Sequence, residues 1–297
     1  LGLKTNYGKW SDLSEAGQAA NLAHRQADLK LLQDIDTEQL NAETLVSYNL
    51  LEQKLLEEIE DYKWRHHNYP VNQMFGEHAR IPAFLINQHT ISNVSEAEAY
   101  ISRLNGVHQR LQQVIDQLTI REKEGVIAPS FVLPHVLRDS SNLLVGAPFD
   151  GGEPSTLMID FSSKVAKLDI PALEKARLNE EARLALLNSF QPGYQDLISF
   201  LESLQSKATA DAGVWKLPAG EDYYNIRLNR VTTTDFSAEK IHQIGLTEVA
   251  RIRDEMRIIQ AEVGFEGILA DPDVAKISVV GVGMRSHTGV ANTMFRT

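Results

Sequence analysis

Nine histidines and no cysteine set the terms for metal or nucleophilic chemistry in this chain. Without a thiol there is no Cys-based zinc site, no thiolate nucleophile and no disulfide. A catalytic zinc would then need histidines and carboxylates, with His-x-x-x-His spacing to place two ligands on one helix face. No such pair occurs, and none of the nine histidines is followed by glutamate. His66 and His67 are adjacent, so on a helix they point in different directions and make a poor metal pair. His78 and His89 stand alone. His108 flanks an apolar stripe, where a packed or solvated ring is the expected role. No residue is assigned as a metal ligand.

A second concentration of usable side chains lies between Gly213 and Gly264. Tyr223, Tyr224, Thr232, Thr233, Thr234, His242, Glu248 and Arg251 are candidates for lining a substrate groove. Each also has a structural role open to it. The tyrosines can pack with a wet hydroxyl, the threonines can hold a helix terminus, and Glu248 with Arg251 can form a surface pair. The element that must position them is a long amphipathic helix with Ser237 as N-cap and Glu239 in its first turn. Val249, Ile252, Met256, Ile259 and Val263 recur at steps of three and four and form one apolar stripe, with Met256 expected in the core.

After Gly267 the pattern changes. Val274 to Gly283 is an apolar, β-branched run that reads as a buried strand. Gly283, Met284, Arg285, Ser286 and His287 follow as a loop, and Val290 begins a helix. A strand, a Gly-rich turn and a helix N-terminus together offer amides to an anion. A dinucleotide fingerprint fails there, because Ser286 stands where its third glycine belongs and no room remains for a βαβ unit.

Upstream the chain reads as helices. One runs from about residue 11 to 35, and Asp36 to Gln39 punctuates it. The next, from about Ala42 to His66, carries Tyr48, Leu51, Leu55, Ile59 and Tyr62 on one stripe. Its acidic face (Glu52, Glu57, Glu58, Glu60, Asp61) reads as solvated surface. Pro70 ends that segment, and residues 73–90 read as irregular. Ser95 and Glu98 form a capping box, opening one helix with Tyr100, Ile101, Leu104, Val107, Leu111, Val114, Ile115 and Leu118 toward the core. Residues 125–134 break the helical period, and Gly146 to Pro154 is a turn, either a hairpin tip or an interhelix loop. Helices resume over Ala172 to Asn188 and Tyr194 to Lys207, separated by Gln191-Pro192-Gly193. No internal repeat is present.

A chain of 297 residues, 43% hydrophobic and 23% charged, has the length and composition to bury a sizeable core. A net charge of -11 argues against a nucleic-acid partner, which needs concentrated Lys and Arg. No run of apolar residues is long enough to cross a membrane. The first residue is Leu1, with no basic-then-apolar leader behind it.

The order Trp215-Lys-Leu-Pro-Ala-Gly-Glu-x-Tyr223-Tyr224, then Thr232 to Thr234, then Ile241-His242-x-x-Gly245-Leu246-x-Glu248-Val249-x-Arg251-Ile252-x-x-Glu255-Met256 resembles a large bacterial family. That family is catalogued as domain of unknown function 885, and its members resemble helical zinc metallopeptidases. The likeness extends back to the first residues, through Ser130 to Leu133 and Gly146 to Phe149, and forward to about Gly267. It implies a mainly α fold, a multi-helix metallopeptidase-like body, over residues 1–267. Its zinc motif, His-Glu-x-x-Pro-Gly-His, is expected downstream and is absent from this sequence.

Residues 268–297, the short β-strand and helix fragment, resemble the start of the second small-molecule-binding (ACT) domain of bacterial aspartate kinases. There the Gly283 to His287 loop corresponds to a region near the lysine or threonine effector site. Two families meeting in this way imply a chimeric join. The resemblance thus implies the non-catalytic portion of a hydrolase, with no cofactor in this chain and zinc only in a full-length relative. A peptide or small-molecule substrate is implied for that relative. An extracytoplasmic address, periplasmic or lipoprotein, is implied because family members often carry an export signal. An amino-acid-binding regulatory segment and a helical interaction scaffold are the alternatives.

Overall fold

The computed structural model describes residues 4–263, and the chain divides into two compact units, Leu1–Thr233 and Thr234–Thr297. Among the described residues there are eleven α-helices and no β-sheet. The mainly helical expectation is met. The expected strand, the effector loop Gly283 to His287 and the join at Gly267 all lie outside the described residues.

The first unit begins with an antiparallel hairpin, α1 (Glu15–Gln33) and α2 (Ala42–Asp61). Ser14 caps α1 by accepting from the Gly17 amide, and Asn41 caps α2 by accepting from Thr44. Arg25 pairs with Glu58 at 2.6 Å and Gln33 with Glu52 at 3.1 Å, a register only opposed directions allow. A 3-10 turn over Tyr62–Trp64 leads into a loop, and then comes α3 (Glu77–Asn87).

Helix α3 corrects the irregular reading of residues 73–90. Pro82 lies inside it, where a proline cannot donate to the carbonyl four residues back. That carbonyl belongs to His78, and the Tyr194 hydroxyl donates to it at 2.6 Å. A tertiary contact therefore satisfies the acceptor that the proline frees, and the helix continues.

The apolar stripe from Tyr100 to Leu118 is buried as expected, but over two helices, α4 (Val94–Asn105) and α5 (Val107–Lys123). The capping box also begins two residues early. Asn93, not Ser95, accepts from the Glu96 amide at 3.0 Å, and Glu96 accepts from Ser92 at 2.8 Å. Gly106 marks the break, with the Trp10 ring against it: a Cβ there would meet Trp10 Cδ1 at 3.0 Å. The Ser189 hydroxyl accepts from His108 N at 3.1 Å and donates to Asn105 O at 2.8 Å, bridging the break.

After α6 (Leu133–Asn142), an interhelix loop closed by Asp150 on the Gly146 and Gly152 amides leads to α7 (Thr156–Ala166), a helix the periodicity missed. Helix α8 (Ala172–Ala185) runs without interruption through a π turn, Leu186–Phe190, into α9 (Gln191–Gln205). Gln191-Pro192-Gly193 is thus no linker. Pro192 sits in the first turn of α9, where a missing N–H is tolerated. Gly193 permits close approach, since a Cβ there would come within 2.9 Å of His108 Cα. Helices α5 and α9 form the middle of the core, with α3, α4, α6, α7 and α8 around them. Helix α10 (Gly220–Thr232) closes this unit, and α11 (Ala238–Val263) belongs to the second.

Candidate functional site: an arginine-rich cleft

The loop between α2 and α3 covers the flank of α5, and a cleft of about 400 Å³ opens between them. Its floor is polar, from Gln117 and Arg121 of α5, and its rim carries Arg65 and Arg80. Leu13, Tyr69, Phe75 and Val114 supply apolar wall.

Helix geometry explains the floor: Gln117 and Arg121 are four residues apart, hence on one face. Arg121 is 4% exposed, and its guanidinium holds the loop in place. It donates to Asn68 O at 3.0 Å, Asn68 Oδ1 at 2.8 Å, Arg65 O at 2.7 Å and Gln117 Oε1 at 2.9 Å. All of these acceptors are neutral. Burial outweighs the pull of the Glu15 and Glu124 carboxylates and pushes the Arg121 pKa down to about 10.

Beneath the rim, His66 is buried between two carboxylates, with Nε2 2.9 Å from Glu15 Oε1 and Nδ1 3.2 Å from Glu124 Oε1. Arg65 reaches the other oxygen of Glu15 at 3.0 Å, and Gln117 donates to Oε1 at 2.8 Å. Burial raises the Glu15 pKa, but hydrogen bonds from Gln117, His66 and Arg65 outweigh it and bring it down to about 2. On the α3 side, Glu77 is buried and accepts from Arg110 at 2.7 Å and from Arg80 at 3.1 Å. Arg110 also donates to Ser11 O at 2.8 Å and lies 5.0 Å from the Trp10 ring centroid.

Among the described residues no group of three or more His, Cys, Asp or Glu side chains is placed to hold a metal ion. The His66 group comes nearest, yet both of its ring nitrogens already engage carboxylates. The residues present do not fit the zinc expected of a full-length relative, and no step is routed through one. His78 and His89 are buried, and burial lowers the pKa of both, His89 to about 4. His108, beside the core stripe, is exposed and meets Asp196 at 2.9 Å.

The groove candidates fall in both units. Tyr223 packs against His67 and Trp64, with ring centroids at 5.1 and 5.6 Å, while Tyr224 is exposed. His67 also contacts Pro218 O at 2.8 Å. Thr232 donates to Leu228 O at 2.8 Å, and Thr233 ends α10 in the left-handed region with φ 55°. Arg227 and Arg230 reach Asp61, and Arg230 also reaches Glu60, so the acidic face of α2 is a docking surface for α10 and not merely solvated.

Thr234, His242, Glu248 and Arg251 lie in the second unit. There Thr234 Oγ1 accepts from Phe236 N at 3.4 Å, and Arg251 pairs with Glu248 at 2.8 Å and Glu255 at 2.6 Å on an exposed face. Ser237 caps α11 as expected, accepting from Lys240 N at 3.2 Å. Its apolar stripe, however, is not in a core: no residue of α11 is buried.

The cleft was missing from the sequence reading because Arg65, Arg80, Arg110 and Arg121 show no motif. Only Arg110, Gln117 and Arg121, three polar residues on the buried side of an amphipathic helix, could have given a signal.

The fold is similar to that of a candidate lipoprotein from Colwellia psychrerythraea, with a TM-score of 0.68 and 22% identity over 84% of this chain and 44% of that one. A candidate lipoprotein of unknown function from Shewanella oneidensis aligns at TM-score 0.60 and 17% identity, over 88% of this chain and 44% of that one. At such identities the likeness concerns the fold, and this chain spans less than half the length of either. A shorter likeness links the chain to aspartate kinases: 41% identity over 63 residues with that of Stutzerimonas stutzeri and 40% over 63 with that of Pseudomonas putida. Each match takes in 21% of this chain and 14% of the kinase, a stretch longer than residues 268–297. Residues 1–278, which include every helix described above, match the family described as bacterial protein of unknown function (DUF885), and the chain belongs to that family.

Proposed function

We propose that this chain supplies the helical, substrate-receiving portion of a hydrolase-like protein that works outside the cytoplasm. The observation that carries the reading is the cleft of about 400 Å³, a volume suited to a small molecule or the end of a peptide, with convergent polar groups and an apolar wall. Family membership supports it, and so do the names of the two solved neighbours, which favour an exported protein. The resemblance to helical zinc metallopeptidases adds that the hydrolytic groups belong to the part of the longer relatives that this chain does not match.

The test is to offer the purified chain a library of short peptides, with and without added zinc. Binding without turnover is expected, and binding should fall when Phe75 is replaced by alanine at the cleft mouth. Hydrolysis by the chain itself, surviving zinc chelation and further purification, would overturn the division of labour.

The aspartate-kinase likeness favours a second reading, an amino-acid-binding regulatory segment. Calorimetry with lysine and threonine separates the two: saturable binding that Phe75→Ala leaves unchanged would support the second.

A further inference from the structure

We infer that the cleft selects an organic acid, a ligand bearing a carboxylate beside an apolar group. This rests on the cleft being the receiving site and adds the chemistry of what it receives.

Charge is the first argument. The chain as a whole is strongly acidic, at -11. Around this cleft the balance reverses, with Arg65, Arg80, Arg110 and Arg121 set against Glu15, Glu77 and Glu124. Among the described residues Arg121 makes no direct ion pair, and its hydrogen bonds all go to neutral oxygens. Glu15 and Glu124 act on this buried cation only across a distance, so an anion in the adjoining cleft would gain from it.

Donor geometry is the second. Arg80 uses Nη1 on Glu77, and its Nε and Nη2 make no hydrogen bond among the described residues. One edge of a guanidinium is therefore open at the rim, and that edge matches a carboxylate with two parallel bonds. Helix α3 starts at the same rim, and no side chain caps its first turn. Its N-cap, Gly76, has φ 145°, and a Cβ there would come within 2.7 Å of Val71 Cα, so no side chain could screen that end.

The third argument distinguishes an organic acid from a bare anion. Phe75 is 67% exposed at the cleft mouth. Its backbone is nevertheless held in place, because Asn72 Oδ1 accepts from Met74 N at 2.9 Å and from Phe75 N at 2.8 Å, while Asn72 N donates to Phe75 O at 2.8 Å. An exposed aromatic ring on a held backbone, beside Tyr69 and Leu13, offers a surface to an apolar group. Inorganic phosphate has no use for it.

The test uses the full chain and three probes: N-acetyl-leucyl-phenylalanine, its C-terminal amide, and inorganic phosphate, each titrated by calorimetry. The free acid should bind, and the amide and phosphate should each bind about tenfold or more weakly. Arg80→Gln should cost the acid about tenfold while leaving the amide unchanged, and Arg80→Lys should recover part of the loss. Arg80 is on the rim, so thermal unfolding of the free variants should match the parent and exclude a folding defect. Equal binding of acid and amide would overturn the acid selectivity and leave the cleft a receiving site. Phosphate binding as tightly as the acid would reduce the cleft to a simple anion site. Binding of none of the three, or binding indifferent to both Arg80→Gln and Phe75→Ala, would sink the inference and the receiving-site reading together.

Discussion

Helices α5 and α11 carry the same kind of apolar stripe and meet opposite fates. In α5 the stripe is in the core, with Leu111 0% exposed, whereas on α11 Met256 is 51% and Val263 70% exposed. Their ionic residues differ in the same sense. Arg110 and Arg121 of α5 are buried and hold other segments, while Arg251 of α11 pairs only with its own helix neighbours. Periodicity therefore shows that a helix has an apolar face and leaves open what covers it. Burial multiplies the worth of identical chemistry, because a buried group left without its partner cannot turn to water.

Breaking the buried side of this comparison should have the largest effect. Arg110→Ala leaves the Glu77 carboxylate buried beside only the rim residue Arg80. It should cost about 3–5 kcal/mol in denaturant unfolding. Leu111→Ala, in the middle of the α5 stripe, should cost about 2–5 kcal/mol, depending on how far α9 can close the cavity. A loss under about 1 kcal/mol in either variant would mean that the α5 face is no better covered than that of α11.

A pH series tests the buried network directly. The Glu15 pKa falls from the ordinary 4.5 to about 2 in the folded protein. A carboxylate with a depressed folded pKa adds stability above its unfolded value, and loses it as pH falls through the folded one. The stability advantage of the parent over Glu15→Gln should therefore be complete above about 4.5 and shrink toward pH 2. An advantage independent of pH over that window would show that the carboxylate charge is not what the network uses.

On α11 the effects should be small. The apolar spacing alone would have Met256→Asp destabilise by several kcal/mol, yet at half exposure the new carboxylate keeps its water. A loss under about 1 kcal/mol is expected. A larger loss would show that the stripe is covered in solution. Arg251→Ala should leave the unfolding midpoint unchanged within error, since exposed ion pairs on one helix are screened by solvent and salt. A measurable loss would mean that the pair carries more than a surface ladder does.

Much of the fold was legible in the residues. Ser237 marks a helix start because a side-chain oxygen beside an unpaired amide is a local interaction, visible without the rest of the chain. The stripe from Tyr100 to Leu118 and the turn at Gly146 are equally local, though whether that turn joins strands or helices was not. The misses share one cause, which is that the deciding partner is distant in sequence. Pro82 reads as a helix breaker until Tyr194 arrives to occupy the carbonyl it frees. Gly106 breaks the long stripe because Trp10 lies against it and Ser189 bridges the gap. The acidic face of α2 reads as solvated until Arg227 and Arg230 dock on it.

The sequence by itself determined the helical class, the family, and the lack of histidine spacing for two zinc ligands on one helix face. The class and the histidine spacing follow from composition and period, the family from a residue string that resembles it, and none of them needs a distant partner. The arginine cleft was decided by tertiary structure alone. Arg65, Arg80 and Arg121 stand on separate elements, and Arg121 becomes a buried cation held by neutral acceptors only when the loop over Arg65 to Asn68 folds its carbonyls onto it. Desolvation depends on what surrounds a group, so the charge that gives this cleft its chemistry exists only in the folded chain.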